Sequence, residues 1–184
     1  MEGAMRPLAR LTIVALGALA LTACATTGIR SYVERGTDVG QYSTYGWGPA
    51  NVQTTGDPRL DKNRFFQEQV EAAVERQLSA RGFEKAAEAP DLLVRYYASV
   101  EQQLNANGVD RPYVACEDCR PFVFDAGTIV IDLIDARSQR LIWRGWAEGS
   151  IDGVIDNQAW MEKRVDEAVA RILERLPRGM GRVS

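Results

Sequence analysis

Three cysteines, at positions 24, 116 and 119, are the residues with the most readable chemistry in a chain that contains no histidine. Without an imidazole, His-based acid–base catalysis, Ser-His-Asp and Cys-His nucleophilic systems and most zinc sites are excluded together. Carboxylate, Lys and Tyr chemistry remains open. The spacing Cys116-Glu117-Asp118-Cys119 invites a redox reading, which needs a thiolate stabilised by a helix N-terminus or nearby cations. Here the intervening residues are acidic, and Arg120-Pro121 opens no helical pattern. Zinc would need two further ligands, and none is apparent. The expected state of Cys116 and Cys119 is a small disulfide in an oxidising compartment, with free thiols the alternative if the tight loop is strained. Asp132 and Arg144 are placed for a cross-strand ion pair or a polar site on a sheet face. Trp143, Trp146 and Trp160 are candidates for stacking on sugars or lipids, against the commoner role of packing between sheet and helix. Glu68, Glu71 and Glu75 read as a solvated helix face. No set of residues is assigned to catalysis, cofactor binding or metal binding, and no cofactor is expected.

Cys24 stands apart because of what precedes it. Arg6 and Arg10 form a positive segment, followed by an apolar run from Leu11 to Leu21 broken only by Thr12 and Gly17. As a helix that run spans about 16 Å, roughly half a bilayer's hydrocarbon core, which suits a signal sequence better than a membrane span. Leu21-Thr22-Ala23-Cys24 resembles the lipobox of bacterial lipoproteins: Leu at −3, small residues at −2 and −1, then the cysteine that carries lipid. The resemblance implies that residues 1–23 are removed and that Cys24 becomes an acylated N-terminus. Ala25 at the second mature position implies sorting to the outer membrane, facing the periplasm. The alternative is an ordinary secretory signal cut after Ala25. Each buried methylene contributes about 0.8 kcal/mol, so two or three long chains would hold the protein on a membrane.

The elements that must position any site follow from periodicity. Residues 24–37 are expected to be a lipidated N-terminus and tether, 38–178 a single domain and 179–184 a tail. Cleavage would remove Glu2, Arg6 and Arg10 and move the formal charge from −3 to −4. No Lys/Arg-dense stripe is present, so nucleic-acid binding is not expected. Tyr42 to Trp47 has strand composition, and Ala50–Pro58 reads as loop. Asp61 to Arg81 carries Phe66, Val70, Ala73, Val74 and Leu78 at helical spacing, with Asp61 as cap and Gly82 as stop. Asp91 to Val100 alternates as a strand, with Leu92, Val94, Tyr96, Ala98 and Val100 on the core side. Residues 101–125 read as irregular. Thr128–Ile134 and Leu141–Ala147 form a hairpin around Asp135–Arg140. A second amphipathic helix runs from Gln158 to Leu176 and ends at Pro177. The order β-α-β-β-β-α predicts an α+β two-layer sandwich, a mainly antiparallel sheet with two helices on one face.

Tyr45-Gly46-Trp47, the helix end Leu78–Phe83, Ala89-Pro90-Asp91-Leu92-Leu93-Val94, Gly127–Asp132 and Leu141-Ile142-Trp143-Arg144-Gly145-Trp146-Ala147 occur in that order. Together with the lipobox and the closing helix they resemble the DUF4136 family of bacterial lipoproteins, over nearly the whole mature chain. That resemblance carries no established activity, and Cys116 and Cys119 are not general to the family. The expectation is a membrane-anchored envelope lipoprotein, a non-enzymatic binding or assembly-support module with an envelope protein as partner. The alternative is a small-molecule or glycan-binding or hydrolytic protein that uses carboxylates and aromatics.

Overall fold

The computed structural model describes residues 28–49, 55–105 and 122–177. Alternating and β-branched segments form one six-stranded sheet: β1 (Gly28–Val33), β2 (Thr44–Trp47), β3 (Glu84–Lys85), β4 (Leu92–Asn105), β5 (Phe122–Asp135) and β6 (Leu141–Ser150). Its spatial order is β1-β6-β5-β4-β2-β3. The sheet is mixed. β1–β6, β6–β5 and β5–β4 pair antiparallel, while β4–β2 and β2–β3 are parallel. Three helices accompany it: α1 (Pro58–Asp61), α2 (Arg64–Ser79) and α3 (Gln158–Glu174), with a 3-10 turn at Val39–Gln41.

The expected α+β class and element order hold, with four differences. The helix expected to start at Asp61 starts at Arg64, capped by Asn63, which accepts from the Phe66 N–H, and a separate short helix, α1, capped by Asp57, precedes it. Asp61 instead accepts from the Thr55 N–H at 2.5 Å, closing the preceding loop onto α1. β1 begins inside the 24–37 stretch expected to be tether, because its backbone supplies the pairing that the β6 edge lacks. β4 and β5 run beyond their expected ends, pairing in register as far as Asn105↔Phe122, so part of the irregular 101–125 segment is a two-stranded ribbon. Finally, Glu84–Lys85 adds a short strand beside β2.

Helix ends behave as their residues dictate. Gly82 has φ +85°, and the Phe83 N–H bonds the Leu78 carbonyl while the Gly82 N–H bonds that of Ser79. This is a Schellman stop, with Phe83 buried beneath it. α2 and α3 pack on each other and on one face of the sheet, burying Val70, Val74 and Leu78 against Val169, Ile172 and Leu173. On the sheet side the row Val94–Leu133–Trp143 is fully buried. The Trp143 ring lies across Gly145, where an added Cβ would stand 2.4 Å from its Cη2 and 2.7 Å from Ile172 Cγ2. The Trp143-Arg144-Gly145 sequence therefore lets a large ring and a helix share one patch of sheet.

Asp91 fastens β2 to β4. Its Oδ2 accepts from the Ser43 and Thr44 N–H groups and the Ser43 hydroxyl, while Thr44 Oγ1 accepts from the Asp91 N–H. The two backbone donors hold its carboxyl below the usual carboxylate range.

Candidate functional site

The expected polar pair forms. Arg144 Nε and Nη2 each donate to one Asp132 carboxylate oxygen, both at 2.6 Å, in a bidentate pair across β5 and β6. Asp132 is buried to 2% exposure although it lies on the sheet face away from the helices. The pair raises the Arg144 pKa, chiefly through the hydrogen bonds. Arg95 stands opposite Asp132 in the β4–β5 register, and its buried Nε has no hydrogen-bond partner among the described residues. No second carboxylate joins Asp132 in this pair, so it orients strands rather than forming an acid–base dyad.

The other candidates disperse. Trp143 is fully buried, Trp146 half-buried and Trp160 57% exposed, so the three tryptophans form no common platform. Glu68 and Glu71 remain exposed. Glu75, expected on the same solvated face, instead accepts from Trp47 Nε1 at 2.9 Å and pairs with Lys85 at 2.5 Å. Burial opposes the drop in its pKa, which the Lys85 and Trp47 hydrogen bonds impose. Cys24, Cys116 and Cys119 lie outside the described residues, as do the expected signal segment 1–23 and the tail 179–184. Among the described residues no group of three or more Cys, Asp or Glu is placed to hold a metal. No described helix is long and apolar enough to cross a membrane.

What the side-chain candidates do not supply, the packing between layers does. Beyond the filled core rows the helix-facing sheet carries two rows in register, Ala98–Ile129–Ala147 and Val100–Gly127–Gly149. Four of those six residues are Ala or Gly; the Ile151 side chain takes the space over Gly127, and the rest of the floor leaves room beneath α3. The result is a cleft that encloses about 90 Å³ and opens to solvent along one side. Met161, Val165 and Ala168 of α3 line one side, with Leu60, Phe66 and Val154 closing it elsewhere. Arg59 ties the two ends of that wall, gripping Asp57 at 2.7 Å and reaching Asp156 at 3.2 Å.

The lining contains three charged residues, Arg164, Glu167 and Arg171, all on α3. Arg164 contacts the Ser150 carbonyl at 3.4 Å and Glu167 at 3.9 Å. Arg171 makes no ion pair or hydrogen bond to any described residue. The cleft was not anticipated from the sequence. Its signal was the run of small residues at 98, 127, 147 and 149, which align only once three strands are placed in register.

A mixed six-stranded sheet with its helices on one face and a cleft at one end of the interlayer core defines a two-layer α+β domain. The chain belongs to the DUF4136 family, a domain of unknown function, whose model matches residues 29–178. A PDZ domain protein from Parabacteroides distasonis shares the fold over 83% of this chain and 36% of its own, at 13% identity and a TM-score of 0.53. The chain thus spans about a third of that protein's length. PelC from Paraburkholderia phytofirmans, solved as a dodecamer, aligns over 80% of this chain and 95% of its own, with 11% identity and a TM-score of 0.45. A DUF4136 family protein from Bacteroides thetaiotaomicron aligns over 77% and 92%, with 11% identity and a TM-score of 0.41. No curated relative matches the chain.

Proposed function

We propose that this chain is a lipoprotein of the bacterial envelope, tethered through Cys24 to the outer membrane and facing the periplasm, whose domain is a non-enzymatic binding module. The observation that carries the binding half is the cleft: a mostly apolar lining with one carboxylate, Glu167, at its edge. Carboxylate-based glycoside hydrolysis needs two such groups converging on one bond, and a glycan needs more polar partners than this lining offers. Space without catalytic groups is what a binding module requires. The tether half rests on the Leu21–Cys24 pattern. With β1 starting four residues after Cys24, such an anchor would hold the sheet close to the membrane.

Intact mass of the membrane-extracted protein tests the anchor directly. An acylated N-terminus at Cys24 is expected, and Cys24→Ser should move the protein from the membrane to the soluble fraction. A mature chain starting at Thr26 without lipid would refute the tether. Crosslinking in native membranes tests the module, and a specific envelope partner is the expected result. Turnover of a glycan or ester by the purified chain would overturn the non-enzymatic reading.

A further inference from the structure

The cleft has a chemical direction that the binding-module reading alone does not specify. We propose that it is a binding site for a free single-chain amphiphile with an anionic head, of the fatty-carboxylate class. The inference rests on the domain being a binding module.

The floor sets the tail. The row Ala98–Ile129–Ala147 crosses β4, β5 and β6 in register, so an alkyl chain can lie across three strands. At 4.7–4.9 Å per strand that path is about 10 Å long, the scale of the first several methylenes of an alkyl chain. α3 covers it with Met161, Val165 and Ala168, which offer contact without a hydrogen-bonding demand.

α3 also sets the head. Arg164, Ala168 and Arg171 recur at i, i+4 and i+7, so both guanidinium groups border the apolar trough from one stripe of the helix. Glu167 offsets part of the Arg164 charge at 3.9 Å. Arg171 has no such partner among the described residues, and a planar guanidinium binds carboxylate or phosphate in bidentate fashion. A cationic or neutral head would leave that complementarity unused.

The test uses the mature chain with Cys24→Ser, so that no covalent acyl chain competes. Calorimetric titration with octanoate, decanoate and laurate below their micelle concentrations should show affinity rising by about fourfold per methylene until the trough is full. Dodecyl phosphate should bind comparably to laurate, and dodecyltrimethylammonium at least about tenfold more weakly. Arg164→Gln combined with Arg171→Gln should cost about tenfold for laurate and leave 1-dodecanol unchanged. Ala168→Trp should abolish binding of all of them. In case that variant folds poorly, a diazirine analogue of laurate should label the Met161–Ala168 segment of the parent chain.

No laurate binding, or binding indifferent to head charge, would overturn the proposal. Stronger labelling by a diazirine phosphatidylglycerol in vesicles would assign the cleft to a bilayer lipid instead and equally overturn it. An unmodified Cys24 would sink the tether and leave these titrations unaffected. Partner capture without laurate binding would sink this inference and leave the binding module intact.

Discussion

At the residue scale, two carboxylates show how geometry decides what an acidic side chain does here. Asp132 is buried and held by a single bidentate partner, so its desolvation is offset by Arg144. Arg144→Met would leave a buried carboxylate with that partner gone, at a cost of about 1–3 kcal/mol. The Arg144 side chain is 42% exposed, so water can enter, and the lower half of that range is expected. Pairing the change with Asp132→Leu should recover much of the loss, and urea midpoints of the four chains would decide. Full additivity of the two substitutions would mean that the pair contributes nothing as a pair. Asp135 works differently, from the hairpin turn. It accepts from the Ser138 N–H and hydroxyl, the Tyr42 hydroxyl and the Arg137 N–H, which together hold its carboxyl down to about 2. Its ordinary value is about 3.9, so its contribution is complete above that pH and lost as pH falls towards 2. Asp135→Asn should therefore narrow its stability gap to the parent chain as pH drops from about 4 to 2. A gap constant across that window would rule out this linkage.

At the element scale the question is what keeps helices and sheet at their spacing. Gly145 does so at the centre of β6, where Trp143 and Ile172 occupy the space a methyl group would need. Gly145→Ala should destabilise by about 1–3 kcal/mol through overpacking, with a lower melting temperature and a shifted near-UV signal from Trp143. An unchanged melting temperature would mean that α3 can slide away at no cost. The same elements show what the sequence made legible. The apolar stripes of α2 and α3, the Gly82 stop and the β5–β6 hairpin could be read because each is local, set by periodicity or one turn. The Asp132–Arg144 pair was legible for the same reason, since the hairpin fixes its register. Asp57 and Asn63 capping two helices was misread because Asp61 is equally capable of capping, and only the loop at Thr55 decides between them. β1 was missed because its burial is slight, with Ile29 and Val33 its only aliphatic side chains, so no alternation announces it. The cleft was invisible because it belongs to three strands and a helix at once.

At the scale of the whole molecule, β1 is the element through which any tether at Cys24 would pull. Five of its six residues are exposed, and its main structural act is to pair all six with β6, from Gly28↔Glu148 to Val33↔Trp143. Without it, β6 would become the sheet edge, offering unpaired backbone groups beside Trp143 and Ala147. Ile29, which stands beside Ala147 in that ladder, would also be lost. A chain beginning at Glu34 should therefore fold, because the core of α2, α3 and β4–β6 is intact without β1. It should melt at a lower temperature than the chain beginning at Ala25, by an amount set by one partly buried Ile and a six-residue ladder. The larger effect should be on solution state. The exposed β6 edge favours pairing with a second copy, so sedimentation should show concentration-dependent self-association that the longer chain lacks. If the shortened chain sediments and melts like the longer one, β1 is a passenger on the sheet. In that case a pull on any tether at Cys24 would not be borne by the β1–β6 ladder.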